Sequence, residues 1–77
     1  MYRQLINQQY HAAWYSFIGG RVILTRVPGS APGLWGTVRA VYAHGLIVDT
    51  AHYGLWISFI DLYCGHTVVQ PFQVRSA

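Results

Sequence analysis

Apolar and polar positions alternate most regularly in the middle of the chain, over residues 34–50. Two alternating runs meet there across a short polar link that contains Gly45. Alternation with a period of two, bounded by glycine, is typical of a β-hairpin, and Gly45 would supply a positive φ at the turn. The pattern gives the first strand two faces, one with Val38, Ala40 and Tyr42 and the other with Trp35, Thr37, Arg39 and Val41.

Before the hairpin, apolar residues spaced three and four apart predict a helix over residues 2–18. The pair Gly19-Gly20 follows and is a common C-terminal stop. Residues 21–27 are β-branched and alternate, which predicts the first strand. Two prolines and two glycines within residues 28–33 then predict a loop.

After the hairpin, the pattern predicts a fourth strand over residues 55–60, with Leu55, Ile57 and Phe59 on one face. A tight turn at Asp61-Leu62 leads to a fifth strand over residues 63–69. Pro71 cannot donate a ladder hydrogen bond and is expected to end this strand.

A chain of 77 residues has room for one domain. We assign residues 1–70 to that domain and residues 71–77 to a short tail. A domain of this size buries only about 60% of its unfolded surface and commonly needs a disulfide, a metal or oligomerisation. The single cysteine, Cys64, excludes an intrachain disulfide.

Charged residues form 9% of the chain and hydrophobic residues 53%, and the sequence contains neither Lys nor Glu. A monomer with so little surface charge would be poorly soluble, so we expect much of its surface to be buried against other copies. The net charge of +3 permits contact with nucleic acid, but the five Arg residues are scattered along the chain.

A helix followed by five short strands, with the longest hairpin in the middle, resembles the Sm-like fold that includes bacterial Hfq. The matching segments are residues 21–27, 33–50 and 55–69. The resemblance implies a mainly β protein, a small five-stranded Sm-like barrel with an N-terminal α-helix. The Tyr-Lys-His motif of Hfq is replaced by residues 58–61. The Asp and Asn of the Sm uridine pocket have no counterparts between Val41 and Leu46, so the uridine-pocket residues are not carried over.

Two looser resemblances concern shorter segments. Gly20-Arg21, Gly33-Leu34-Trp35 and the run 44–48 are similar to features of spore-coat proteins of the GerQ type. Gly20-Arg21-Val22 followed by residues 32–38 resembles the KOW motif of ribosomal and transcription proteins. The first implies a structural coat protein, and the second implies contact with nucleic acid.

In Sm-like rings the fourth strand of one subunit pairs with the fifth strand of the next. The corresponding segments, residues 55–60 and 63–69, contain no charged residue, and Asp61 stands between them. Such segments suit a buried head-to-tail interface, which closes into a ring or continues as a filament. The predicted homo-oligomer interface consists of Leu55, Trp56, Ile57, Phe59, Tyr63, Val68 and Val69.

The leading interpretation is therefore a non-enzymatic, self-assembling structural protein. The alternative is an RNA-binding ring or a KOW-like module, in which aromatic rings stack on bases and Arg contacts phosphate. The residues predicted for that alternative are Arg26, Arg39, Tyr42, His44 and Tyr53.

Metal, cofactor and catalytic sites are not expected. Cys64 and His66 lie two apart on a predicted strand, but a structural zinc site normally has a second pair of ligands. Asp49 and Asp61 are the only carboxylate side chains, which leaves few groups for acid–base catalysis. Both are expected to be structural: Asp49 is expected to pair with Arg39 across the hairpin, and the Asp61 side chain is expected to cap backbone N–H groups in the turn before the last strand. No signal peptide or membrane span is predicted, so we expect synthesis in the cytoplasm, with deposition on a spore or another surface as one outcome.

Overall fold

The computed structural model describes residues 2–29 and 33–72. Part of the predicted loop at 28–33 and most of the predicted tail at 71–77 lie outside the described residues. The elements in chain order are α1 (Tyr2–Tyr15), β1 (Arg21–Arg26), β2 (Leu34–Val41), β3 (Gly45–Asp49), β4 (Gly54–Ser58), α2 (Phe59–Cys64) and β5 (Val68–Pro71).

The five strands form one sheet in the order β4-β3-β2-β1-β5, and every neighbouring pair is antiparallel. A mainly β protein with an N-terminal helix and five strands is therefore confirmed. The sheet is open and does not close into a barrel, because β4 and β5 lie at its two edges.

Helix α1 is shorter than predicted. It ends at Tyr15, and a turn follows in which the N–H of Phe17 donates to the C=O of Trp14 over 2.9 Å. Gly19 then adopts a φ of 87°, a left-handed conformation that glycine takes without steric cost. The glycine pair therefore ends the turn after the helix, rather than the helix itself.

A β-bulge changes the predicted faces of the central hairpin. Val38 pairs with Val48, but Ala40 pairs with Ile47, so the register shifts between Val38 and Ala40. An extra residue in one strand reverses the side on which later side chains lie. Val41 consequently packs against the core, which contradicts the predicted grouping of Val38 with Tyr42 on one face.

Gly45 has a different role from the predicted one. It is not among the glycines with positive φ. A Cβ atom at this position would instead collide with the backbone carbonyl oxygen of Ile57 on the neighbouring strand. Glycine is therefore required here for the close approach of β3 and β4.

The segment after β4 is helical, which corrects the predicted strands. Phe59 and Tyr63 both lie in α2 instead of in edge strands. The side chain of Ser58 caps this helix by accepting from the N–H of Asp61, and Gly65 closes it with a φ of 78°. The capping group is thus Ser58, whereas the sequence suggested the Asp61 side chain.

The core lies between α1 and the inner face of the sheet. Seven fully buried side chains form one cluster, against which Tyr10, Trp14 and Phe17 of the N-terminal segment pack. The cluster consists of Val22, Leu24, Val38, Leu46, Val48, Ile57 and Phe59. The opposite, outer face of the sheet carries exposed side chains, among them Trp35 and Trp56.

Candidate functional site

The free edges of the sheet are the strands β4 and β5. Within the described residues, β4 pairs with β3 alone and β5 pairs with β1 alone. Their sequences, GLWIS and VVQP, contain no charged residue. Natural proteins commonly protect free edges with Lys, inward-pointing charges or Pro, and here Pro71 is such a device at the end of β5.

The predicted interface residues divide into three groups. Trp56 is 51% exposed and Tyr63 is 49% exposed, so both side chains are available to a partner. Ile57 and Phe59 are at most 2% exposed, because they are part of the core of this chain. The remaining three are half-buried: Leu55, Val68 and Val69.

The aromatic side chains of the outer face form two separate contacts. The rings of Tyr42 and Trp56 are 6.0 Å apart and tilted by 48°. Trp35 and Phe72 meet edge to face at 4.7 Å. Tyr42, Trp56, Trp35 and Phe72 are all exposed, so the outer face presents apolar rings to its surroundings.

An ion pair crosses the central hairpin, as the sequence suggested. Nε of Arg39 donates to both carboxylate oxygens of Asp49 over 2.9 Å, and Nη2 donates to Oδ1 over 2.5 Å. These hydrogen bonds are the main cause that raises the pKa of Arg39 and lowers the pKa of Asp49. The negative carboxylate balances the positive charge of the Arg39 guanidinium, which weakens this Arg as a phosphate ligand.

The residues predicted for nucleic-acid binding have different neighbours in the structure. Arg26 donates to the backbone C=O of Gly65 over 3.2 Å. Tyr42 contacts Trp56, as described above, whereas the His44 side chain contacts α1. Tyr53 lies in the exposed turn before β4, next to Gly54 in the chain, and the guanidinium of Arg39 packs against Gly54.

An open cleft of about 960 Å³ is lined by α1, the β2–β3 turn and the start of α2. Nδ2 of Asn7 and Nδ1 of His44 are 3.1 Å apart across this cleft. Oδ1 of Asn7 is buried and has no hydrogen-bond partner among the described residues. No motif in the sequence pointed to this cleft, although the polar residues of α1 that line it follow helical spacing: Arg3, Gln4, Asn7, Gln8 and His11.

A pair of tyrosines joins the two helices α1 and α2. The hydroxyl groups of Tyr2 and Tyr63 are 2.9 Å apart, and their rings meet edge to face at 6.2 Å. The hydrogen bond to Tyr2 is the main cause that raises the pKa of Tyr63. No pattern in the sequence pointed to this pair, since 61 residues separate its members.

The residues considered for a metal site do not assemble one. Cys64 is a free, exposed thiol at the end of α2, and His66 lies in the following turn. Nδ1 of His66 is 3.5 Å from a carboxylate oxygen of Asp61. Among the residues with described positions, no group of three or more His, Cys, Asp or Glu side chains could hold a metal ion.

Comparison with known proteins adds no relative: no family model, curated protein or solved structure matches this chain significantly. Over residues 2–29 and 33–72, neither helix has the length and apolar character needed to cross a bilayer. The free strand edges and the exposed aromatic face are therefore the features from which a function can be argued.

Proposed function

We propose that this chain is a non-enzymatic structural protein that self-assembles through its edge strands into homo-oligomeric rings or filaments. The observation that carries the proposal is the pair of free, uncharged edges, β4 and β5. Each edge presents backbone N–H and C=O groups to which another copy can bond.

The side chains beside these edges also favour association. Trp56 exposes about half of its surface on β4, and Tyr42 extends the same apolar area. Interfaces are enriched in Trp and Tyr and are depleted of Lys and Glu, the two residue types that this chain lacks. Burying these rings between copies would lower their exposure to water.

The order of the strands supports an Sm-like arrangement as the finer proposal. The two strands at the edges, β4 and β5, are the two that pair between subunits in Sm-like rings, and α2 connects them. A spore-coat or similar surface role belongs to the same proposal and rests on low charge and high aromatic content.

RNA binding is the second candidate. Its support is the net charge of +3 and the exposed Tyr42–Trp56 pair, on which a base could stack. The ion pair between Arg39 and Asp49 counts against RNA binding. An Arg whose charge is already balanced by a carboxylate displaces few counterions from a nucleic acid.

Sedimentation velocity of the full chain, from micromolar to near-millimolar concentration, tests the main proposal. We expect the mean mass to rise with concentration above the 8.7 kDa of one chain, and electron microscopy to show rings or filaments. A constant mass of one chain throughout would refute self-assembly.

Gel shifts with uridine-rich and adenine-rich RNA at low and high salt test the second candidate, RNA binding. This candidate fails if neither RNA binds at low salt.

A further inference from the structure

The hydrogen bonds at the two ends of the β3–β4 ladder determine which backbone groups point outward. At one end the N–H of Phe59 donates to the C=O of His44 over 2.9 Å. At the other end the N–H of Thr50 donates to the C=O of Tyr53 over 2.9 Å. In an antiparallel ladder, directly bonded pairs alternate with pairs that are not bonded. The two terminal pairs are both bonded and lie an even number of positions apart, so it is determined which of the pairs between them are bonded.

It follows that Leu55 and Ile57 direct their backbone groups toward β3. Gly54, Trp56 and Ser58 direct theirs toward the free edge. The C=O of Ser58 is used by α2, because an N-cap residue accepts the first bond of its helix. The free edge of β4 therefore offers three N–H donors and two C=O acceptors.

The free edge of β5 is poorer in donors. The N–H of Phe72 donates to the C=O of Arg21 over 2.8 Å, so Phe72 and Gln70 face β1. Val69 and Pro71 consequently face outward, and Pro71 has no N–H. Along β5 itself, the outward N–H groups are therefore reduced to that of Val69.

The faces of the sheet separate the possible pairings further. Residues that exchange hydrogen bonds across an antiparallel pair have their side chains on the same face. On β4, the outward-bonding Trp56 has its side chain on the outer face, whereas on β5 the outward-bonding Val69 packs against the core. Antiparallel pairing of β4 with β5 would thus join the outer face of one copy to the inner face of the next. Parallel pairing of β4 with β5 would keep the outer faces of the two copies on the same side. It would lose one hydrogen bond, because Pro71 on the free edge of β5 has no N–H to donate.

We propose that two copies of this chain pair antiparallel along β4, across a two-fold axis at Trp56. The inference rests on the self-assembly proposed above, and it replaces the Sm-like contact between β4 and β5 with a contact between two β4 strands. The two Trp56 backbones exchange their N–H and C=O bonds, and each Ser58 N–H donates to the Gly54 C=O of the other copy. Antiparallel self-pairing keeps the outer faces continuous and uses donors and acceptors that the edge already presents.

The side chain of Trp56 is placed so that it does not obstruct this edge. Its indole leans over β3, where it lies against Gly45, and it contacts Tyr42. In the pair, the two Trp56 residues are cross-strand neighbours on the outer face, so side chains substituted at this position lie opposite each other. The β5 edges remain at the two ends of the dimer and permit extension into a filament.

A charge-swap experiment on the full chain tests the two-fold arrangement. Because the axis passes through position 56, the variants Trp56→Lys and Trp56→Glu each place like charges opposite each other. We expect each variant alone to self-associate about tenfold more weakly than the parent, or worse, in sedimentation velocity. An equimolar mixture should recover association, since unlike charges then face each other.

The matched controls are Gln70→Lys and Gln70→Glu, which change an exposed residue of β5. We expect these variants to form the dimer alone as well as in mixture. Circular dichroism checks that all four variants are folded.

Should Trp56→Lys not fold, Trp56→Cys in a Cys64→Ser background provides a second test. Directly opposed cysteines are close enough for a disulfide between copies, and Gln70→Cys in the same background should form none.

The outcomes separate the two proposals. If the parent protein is a monomer at every concentration, both the self-assembly and the β4 pairing are wrong. If the parent associates but the mixture of Trp56 variants associates no better than either variant alone, the two-fold pairing is wrong and self-assembly stands. If the Gln70 variants alone lose self-association and their mixture regains it, while the Trp56 variants associate like the parent, the contact is at β5 instead.

Discussion

The side-chain oxygen of Ser58 accepts a hydrogen bond from the backbone N–H of Asp61 at a distance of 3.1 Å. This one bond ends β4 and begins α2. It therefore limits the length of the free edge and turns Phe59 into the core, where that side chain is fully buried.

Replacing Ser58 by Ala should lower the free energy of unfolding by about 1 kcal/mol, because α2 loses its capping acceptor. Urea denaturation followed by circular dichroism measures the change. Ser16→Ala is the control, since Ser16 is exposed in the turn after α1 and caps no helix that we describe. Equal effects of the two substitutions would contradict the capping role.

Gly65 ends α2 with a φ of 78°, and no atom lies within 4 Å of the position that a Cβ would occupy. Gly65→Ala should therefore destabilise the fold by about 1–2 kcal/mol through backbone strain alone. Gly65→Asn should cost less, because Asn tolerates the left-handed region better than Ala. Thermal denaturation of both variants tests this order, and an Ala variant as stable as the parent would contradict it.

The sequence predicted the N-terminal helix, a mainly β fold with five strands, and the pairing of Arg39 with Asp49. Each of these depends on a local pattern or on neighbours across one hairpin. Helix α2 was missed because Leu55, Ile57 and Phe59 continue the alternation of a strand. The spacing of Ser58 and Asp61, typical of a helix N-terminus, was the signal that could have revealed it.

Two further features had no reliable local signal. The bulge between Val38 and Ala40 depends on how β2 and β3 pair, and it reverses the faces predicted for Val41 and Tyr42. The close approach at Gly45 depends on a strand that lies later in the chain. Of the residues predicted for the interface, Trp56 and Tyr63 are exposed whereas Phe59 is buried in the core, and the contact of the exposed residues with another copy stays a prediction.

Phe59 and Trp56 should respond oppositely to truncation. Phe59→Ala should lower the free energy of unfolding by about 3–5 kcal/mol, because it leaves a cavity in the core. Trp56→Ala should change the stability of the monomer much less but should weaken self-association, since its side chain is half-exposed. Denaturation at low protein concentration and sedimentation of the same samples separate the two effects. A Phe59→Ala variant that stays stable but loses association would place Phe59 at an interface.

The ion pair of Asp49 with Arg39 gives a defined dependence on pH. The hydrogen bonds from Arg39 lower the pKa of Asp49 below its ordinary value of 3.8. The pair therefore contributes to stability above pH 3.8, and this contribution is lost as the pH falls through the lower, folded-state pKa. We expect the stability difference between the parent and Asp49→Asn to be constant near neutral pH and to shrink in acid.

NMR titration of the Asp49 carboxyl checks the direction of this shift, and Arg39→Gln is the matched variant. Removing the Arg should return the Asp49 pKa toward its ordinary value. Added salt should reduce the stability difference, because both side chains are exposed to solvent. An Asp49 pKa that is the same in the parent and in Arg39→Gln would contradict the pairing.

The most direct test of assembly through β4 is the hydrogen exchange of the Trp56 backbone N–H as a function of protein concentration. Trp56 points its N–H to the free edge, whereas the N–H of Ile57 lies within the β3–β4 ladder. We predict that Ile57 is protected at all concentrations, and that Trp56 becomes protected only at concentrations at which copies associate. Trp56 that exchanges equally fast in the monomer and in the assembled protein would contradict pairing through this edge.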